Sequence, residues 1–146
     1  MADYAKTKVL SATAAAYIAG IIDGEGSISL SRRHRNEQRQ LEVSISNTDI
    51  ALLEYIHQTI GTGRISRKRT YKDKHTPSAT YCISNRQALS LLEQIQPFLK
   101  TYKKKRSALV LNNYIRLTPR NGKYSQKLLD ERNKFVDDFL NTKPIS

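Results

Sequence analysis

Polar and apolar residues alternate with a period of two in four short stretches of this chain. From Ser27 to Arg33, Ile28 and Leu30 face one way, and Ser27, Ser29, Ser31 and Arg33 the other. From Gln40 to Ser46, Leu41, Val43 and Ile45 alternate with Gln40, Glu42, Ser44 and Ser46. Strict alternation is the mark of a strand with one buried face, so the two stretches predict a hairpin across the charged connection His34–Arg39. A second hairpin is expected from Arg64–Tyr71 and Thr80–Ser84, joined by a loop through Pro77, with Ile65, Tyr81 and Ile83 inward. Arg67 and Arg69 fall on the inward parity, so local twist or a bulge decides their role.

Helical spacing fills the gaps between these strands. Ile50, Leu53, Ile56 and Ile60 predict a helix capped by Asn47 or Thr48 and closed by Gly61 and Gly63. Leu89, Leu92 and Ile95 predict another, from Asn85 to Pro97. Ile45-Ser46-Asn47 and Ile83-Ser84-Asn85 each mark a passage from strand to helix, so the body reads as two ββα units. A leading helix, capped by Thr13 and ending near Asp23, is apolar nearly all round and must be buried on more than one side. Further helices are expected over Ala108–Leu117, with Ala108, Leu111 and Ile115 apolar, and over Ser125–Leu140, with Leu128, Phe135 and Phe139 on one side. The expected class is α+β: an αββαββα core with one curved antiparallel four-stranded sheet, plus C-terminal helices. Residues 1–12 read as an arm, 13–140 as one domain and 141–146 as a tail.

Charge changes the picture of what this sheet is for. The chain of 146 residues has 25 Lys and Arg against 13 Asp and Glu, a formal charge of +12. Three windows, Arg32–Arg39, Arg64–Lys74 and Lys100–Arg106, hold 15 of the basic residues and only two acids, so the rest is nearly neutral. Charge focused in this way points to a polyanionic partner. One cysteine, Cys82, excludes an intrachain disulfide and a cysteine zinc site, and His34, His57 and His75 lack ligand spacing. The apolar start is too short to span a membrane and is interrupted by Asp23, so an intracellular protein is expected.

Candidate chemistry sits where the leading helix ends. Asp23 and Glu25 lie among Gly24 and Gly26, which are expected to let the backbone turn sharply. A helix C-terminus carries partial negative charge, so acids there call for a compensating cation. The small residues Ala15, Ala16, Ala19 and Gly20 would permit another helix to approach closely.

Ile18-Ala19-Gly20-Ile21-Ile22-Asp23-Gly24-Glu25-Gly26 resembles the nine-residue signature of the LAGLIDADG homing endonucleases, with Ile for Leu twice and Glu for the final Asp. The αββαββα order agrees, as do the QPFLK segment Gln96–Lys100 and the basic run before Ala108-Leu109-Val110-Leu111, so the resemblance covers Thr13–Leu117. One motif copy is present, as in the single-motif, homodimeric branch. The resemblance implies a homodimer on long pseudo-palindromic double-stranded DNA, with two motif helices packed at the two-fold axis through Ala16, Ala19, Gly20 and Asp23. It implies phosphodiester hydrolysis with Mg²⁺ as cofactor, Mn²⁺ being an alternative ion, and no membrane or small-molecule cofactor. Glu25 would be the metal ligand with the Gly24 carbonyl beside it, and Asp23 would support the helix end. Asn47 would orient active-site water or serve only as a helix cap. Lys103 aligns best with the basic residue near the scissile phosphate, and Lys100 and Lys104 remain candidates. The outward strand parity then gives Ser29, Ser31, Arg33, Arg35, Gln40, Glu42, Ser44, Ser66, Lys68, Thr70, Thr80 and Cys82 as the DNA-reading residues. A non-cleaving DNA-binding regulator and an RNA-binding maturase of the same fold are the competing functions.

Overall fold

A computed structural model describes residues 6–67 and 77–145. The elements run α1 (Ala12–Glu25), β1 (Gly26–Ser31), β2 (Gln40–Asn47), α2 (Ile50–Ile60), β3 (Arg64–Arg67), β4 (Ala79–Ser84), α3 (Asn85–Ile95), a 3₁₀ turn Gln96–Phe98, α4 (Lys103–Asn113) and α5 (Gln126–Leu140). The strands form one antiparallel sheet in the order β1-β2-β4-β3. The expected α+β class and the order of its elements are therefore present.

The two periodicities close one core between sheet and helices. Ile28, Leu30, Leu41, Val43, Ile45, Tyr81 and Ile83 are buried on the inner face of the sheet. Against them lie Ile18 and Ile22 of α1, Leu53, Ile56 and Ile60 of α2, and Leu89, Leu92 and Ile95 of α3. The outer face has no helix over it among the described residues. Its polar positions align in rows across the strands: Ser29–Glu42–Ser84, Ser27–Ser44–Cys82–Arg64 and Ser46–Thr80–Ser66.

Several boundaries differ from expectation, each for a local reason. Ser11, not Thr13, caps α1, its Oγ accepting from the Ala14 N–H at 3.1 Å. The helix runs on to Glu25, so both acids lie in its last turn rather than after it. Neither Gly24 nor Gly26 has a positive φ. Gly26 is needed for space: a Cβ there would lie 2.8 Å from Ile22 Cα and 3.1 Å from the Ser44 carbonyl oxygen. Both neighbours are backbone and cannot swing aside, so Gly26→Ala should destabilise the fold by about 2 kcal/mol through overpacking. Urea unfolding checks this, and an unchanged midpoint would show that the α1–β1 junction has slack.

Helix α4 begins at Lys103 rather than Ala108, and its buried side is Lys103, Ser107 and Val110, continuing to Tyr114 and Leu117. Ile115, expected inside, is exposed. The buried side of α5 contains Phe135 and Phe139 as expected, and also Arg132. Asn85 caps nothing; it opens α3 with a left-handed φ of 53° and accepts a hydrogen bond from Tyr114 Oη at 2.7 Å.

Two arginines finish the outer side of β1, an edge strand. Arg106 Nη1 donates to the Ile28 carbonyl at 2.9 Å and Arg39 Nη1 to the Leu30 carbonyl at 3.0 Å. Residues two apart in a strand point their carbonyls the same way. The Leu41 N–H, opposite Leu30, goes instead to Tyr114 Oη, which leaves these two carbonyls on the open edge.

Candidate active site

The last turn of α1 gathers the chemistry. Pairing of Gly26 with Ile45 brings the start of β1 beside the end of β2, so Glu25 and Asn47 meet. Asn47 Nδ2 donates to Glu25 Oε2 at 2.7 Å, and Asn47 Oδ1 accepts from the Asp49 N–H at 2.8 Å. The second bond fixes the amide's orientation, because an oxygen held by a backbone N–H turns the NH₂ group toward the carboxylate. Asn47 is thus not the cap of α2, whose N-cap position is Asp49. It orders the turn before that helix and holds Glu25. Glu25 is exposed, and its Oε1 has no protein partner among the described residues.

Asp23 faces the other way. Its Oδ2 accepts the Lys100 N–H at 2.8 Å, and its Oδ1 accepts the Thr101 N–H at 3.2 Å and the Thr101 hydroxyl at 2.5 Å. These bonds tie the end of α1 to the loop that leads into α4. At the first residue of α4, Lys103 Nζ donates to the Ile22 carbonyl at 2.8 Å and the Asp23 carbonyl at 2.9 Å. The side chain of Lys103 therefore supplies a cation for the negative end of the α1 dipole. Burial pushes the Lys103 ammonium below the usual lysine range; Asp23 pulls it back up and Arg106 adds to the fall. Of the three candidate lysines, only Lys103 bonds α1 through its side chain among the described residues. Lys100 and Lys104 are exposed, with no side-chain hydrogen bond among the described residues.

The helix face proposed for close approach divides in two. Ala16 and Gly20 are exposed, but Ala19 is fully buried in its own subunit's core and cannot contact a second copy. Asp23 is half-buried, with its carboxylate already occupied. Gly20 and Gly24 have nothing within 4 Å of an added Cβ, so no neighbour within the subunit requires glycine there. Beside them Tyr17 stays 51% exposed and meets Tyr55 of α2 edge-on, with ring centroids 5.7 Å apart. Sequence reasoning missed both tyrosines, although two large exposed rings on adjacent helices are an unusual surface.

Most of the expected reading residues share the outer sheet face. Ser29, Ser31, Gln40, Glu42, Ser44, Ser66 and Thr80 all lie there, none of them buried. Ser27 and Ser44 hydroxyls hydrogen-bond at 2.8 Å, and Ser46 and Thr80 at 2.7 Å. Arg33 and Arg35 lie past the end of β1, on the exposed turn that joins it to β2. Lys68 and Thr70 fall outside the described residues. Cys82 is a correction: it has the right parity but is only 7% exposed in its row between Ser44 and Arg64, and burial, with Glu42 nearby, pushes its thiol's pKa up. Arg64, next to it in that row, is exposed and was missed, although it shares the parity of Ser66.

Glu25 Oε1, free of protein partners among the described residues, and the carbonyl of exposed Gly24 are hard oxygens. Such a set suits Mg²⁺ in kind. Among the described residues no group of three or more His, Cys, Asp or Glu could hold a metal ion. No helix among them is long and apolar enough to cross a membrane.

Residues 18–115 match the sequence profile of the family described as LAGLIDADG endonuclease. Among solved structures, the chain is similar to the homing endonuclease I-CvuI, in complex with uncleaved target DNA in the presence of Mg, at 21% identity and a TM-score of 0.71, over 90% of this chain and 83% of that one. It is also similar to the archaeal intron-encoded homing endonuclease I-Vdi141I complexed with DNA, at 20% identity and a TM-score of 0.67, over 90% and 85% of the two chains. The meganuclease I-AabMI, bound to uncleaved DNA, is matched at 20% identity and a TM-score of 0.63 over 90% of this chain but 50% of its own. At these identities the likeness is one of fold.

Proposed function

Because this chain belongs to the LAGLIDADG endonuclease family, we propose that it is a DNA endonuclease that cuts as a homodimer, with Glu25 of each copy at one shared site. The observation that carries this reading is the Glu25–Asn47 pair at the end of a helix whose outer face is bare. Glycine in a helix interior costs about 1 kcal/mol relative to alanine. Gly20 and Gly24 meet no neighbour in their own subunit, so a second α1 resting on that face gives both a purpose. It would also bring a second carboxylate beside the first.

The chain's own residues then divide the work. Glu25 Oε1 and the Gly24 carbonyl would hold the ion, while Asn47 keeps the Glu25 carboxylate turned toward it. A divalent ion bound there, Mg²⁺ in this proposal, supplies Lewis acidity toward the phosphate oxygens and water activated as a nucleophile. An ammonium has three N–H donors, and Lys103 spends two on carbonyls of α1. The third is available to a phosphate oxygen on which charge accumulates. Asp23, through Lys100 and Thr101, holds the loop that presents Lys103.

The outer sheet face would lie along the major groove, with Arg33, Arg35, Gln40, Glu42 and Arg64 as its longest reading side chains. Bidentate Arg contacts favour guanine, Gln adenine, and Glu accepts from the cytosine amino group. From Asn47 to Gln40, β2 spans about 23 Å at ~3.3 Å per residue. That is about seven base pairs at ~3.4 Å each, so a symmetric dimer would read a long pseudo-palindrome.

The test is incubation of the protein with duplex DNA from the uninterrupted form of its host locus, with and without Mg²⁺. Double-strand cleavage that requires the ion is the expected result. Binding without cleavage under any divalent ion would replace the endonuclease with a DNA-binding regulator.

A further inference from the structure

At the end of the sheet farthest from Glu25 lies a cavity of about 740 Å³ whose walls include Arg39, Arg86, Arg120 and Arg132. Glu37 is the sole acid on those walls. Arg132 forms the floor and is 1% exposed. Its guanidinium donates to the Leu117 carbonyl at 2.6 Å, the Thr118 hydroxyl at 2.7 Å and the Arg39 carbonyl at 2.5 Å, and it lies 5.6 Å and 5.7 Å from the ring centroids of Tyr114 and Tyr124. None of these partners carries a negative charge, and Arg132 Nε has no acceptor. The side chains of Arg86 and Arg120 make no ion pair or hydrogen bond among the described residues. Positive charge collected around a concavity and left unneutralised focuses field on an anion.

The position of the cavity says which anion. Gln40, the first residue of β2, faces the outer side of the sheet and also lines the cavity. Asn85, at the start of α3, lines it too and lies 3.5 Å from Gln40 through its side-chain amide. The polar reading face thus runs into the cavity without an apolar border. Resting on the DNA-endonuclease reading above, we infer that this cavity is a phosphate-binding extension of the DNA interface. Arg86 and Arg120 contact backbone phosphates at the outer end of each half-site, about seven base pairs from the cut. Contacts of this kind are independent of sequence; they hold the duplex in register for the bases read by the sheet.

Independence of sequence makes the inference testable without the target. The probe is a fluorescently labelled 24-base-pair duplex of arbitrary sequence, titrated with full-length protein over a series of KCl concentrations. Each lost phosphate contact reduces the slope of log K against log[KCl] by about 0.9, so Arg86→Gln/Arg120→Gln, which takes two contacts from each half-site and four from the bound dimer, should flatten it by about 3.6. The control is Lys127→Gln/Lys134→Gln on the exposed side of α5, which removes the same charge away from the cavity and should leave the slope as in wild type. Circular dichroism melting shows that both double variants are folded. An unchanged slope in the arginine variant overturns the inference, as does an equal flattening in the lysine variant, which would make the effect one of net charge. So does saturable binding of inorganic phosphate by wild type together with an unchanged DNA slope in the arginine variant, the signature of a small-anion pocket. A wild-type protein with no salt-dependent duplex binding would sink the DNA-endonuclease reading itself.

Discussion

Glu25→Gln is expected to remove cleavage and leave DNA binding intact. The substitution preserves shape, and the amide oxygen of Gln can still accept the hydrogen bond from Asn47 Nδ2. Glu25 is exposed at the end of α1, so the fold should lose little, within about 0.5 kcal/mol for a surface change of this kind. The chemistry has no such reserve. In a symmetric dimer one substitution removes both carboxylates, and no second His, Cys, Asp or Glu cluster among the described residues could take over the ion. Loss of groups that stabilise transition-state charge costs at least about 10³ in rate. Single-turnover cleavage at saturating protein would show that loss, and a gel-shift titration would show binding equal to or tighter than wild type, since a negative charge near the phosphates has gone. Cutting at the wild-type rate would mean that another acid holds the metal.

Gly20→Leu should separate stability from function in the opposite way. Nothing lies within 4 Å of a Cβ at Gly20, and its φ is not positive, so the subunit can accept a side chain there without strain. Leucine is a better helix former than glycine by about 0.8 kcal/mol, so the isolated subunit should become slightly more stable in urea at low protein concentration. Yet the same side chain would project from the face on which a second α1 is proposed to rest. The expected outcome is a monomer by sedimentation and a fall in double-strand cleavage of at least about 100-fold, since a shift of a few kcal/mol in association empties the shared site. A dimer that cuts normally would place the contact surface elsewhere. Gly26→Ala, six residues further on, should do the reverse in urea, because there the backbone of Ile22 and Ser44 already fills the space.

The sheet was legible in the sequence because a two-residue period is read from side chains alone. The parity of Ser29, Glu42 and Ser44 follows from their apolar neighbours. Contacts across the chain were not legible in that way. Asn47 looked like a cap because capping is a local signal; its second role depends on Glu25, 22 residues earlier. The start of α4 was hidden because Lys103–Arg106 reads as a solvated basic run. In the structure Lys103 turns in to the carbonyls of α1, and Arg106 lies over Tyr102 and Phe139, at 5.2 Å and 4.7 Å from their ring centroids. Long cationic side chains bury their stems and stack on rings, so hydrophobic periodicity places them outside when they are in. Arg132 escaped notice for the same reason. Ala19 was misplaced because a stripe of small residues does not reveal which half faces the subunit's own core.

The guanidiniums of Arg106 and Arg39 on the carbonyls of Ile28 and Leu30 also bear on how copies of this protein meet. An unpaired strand edge is a template for another strand, and an open sheet with a bare face is exposed to unwanted stacking and fibre growth during synthesis. Along β1 that template is blocked: an incoming strand would have to displace two charge-assisted hydrogen bonds before making its first. Arg106 is anchored behind the edge by a further bond to the Thr142 carbonyl at 2.8 Å, so the C-terminal end of the chain helps to hold the block in place. Shortening the chain from that end would therefore loosen a guard against aggregation far from any reacting atom, and the damage would appear as insoluble protein rather than as a slow enzyme.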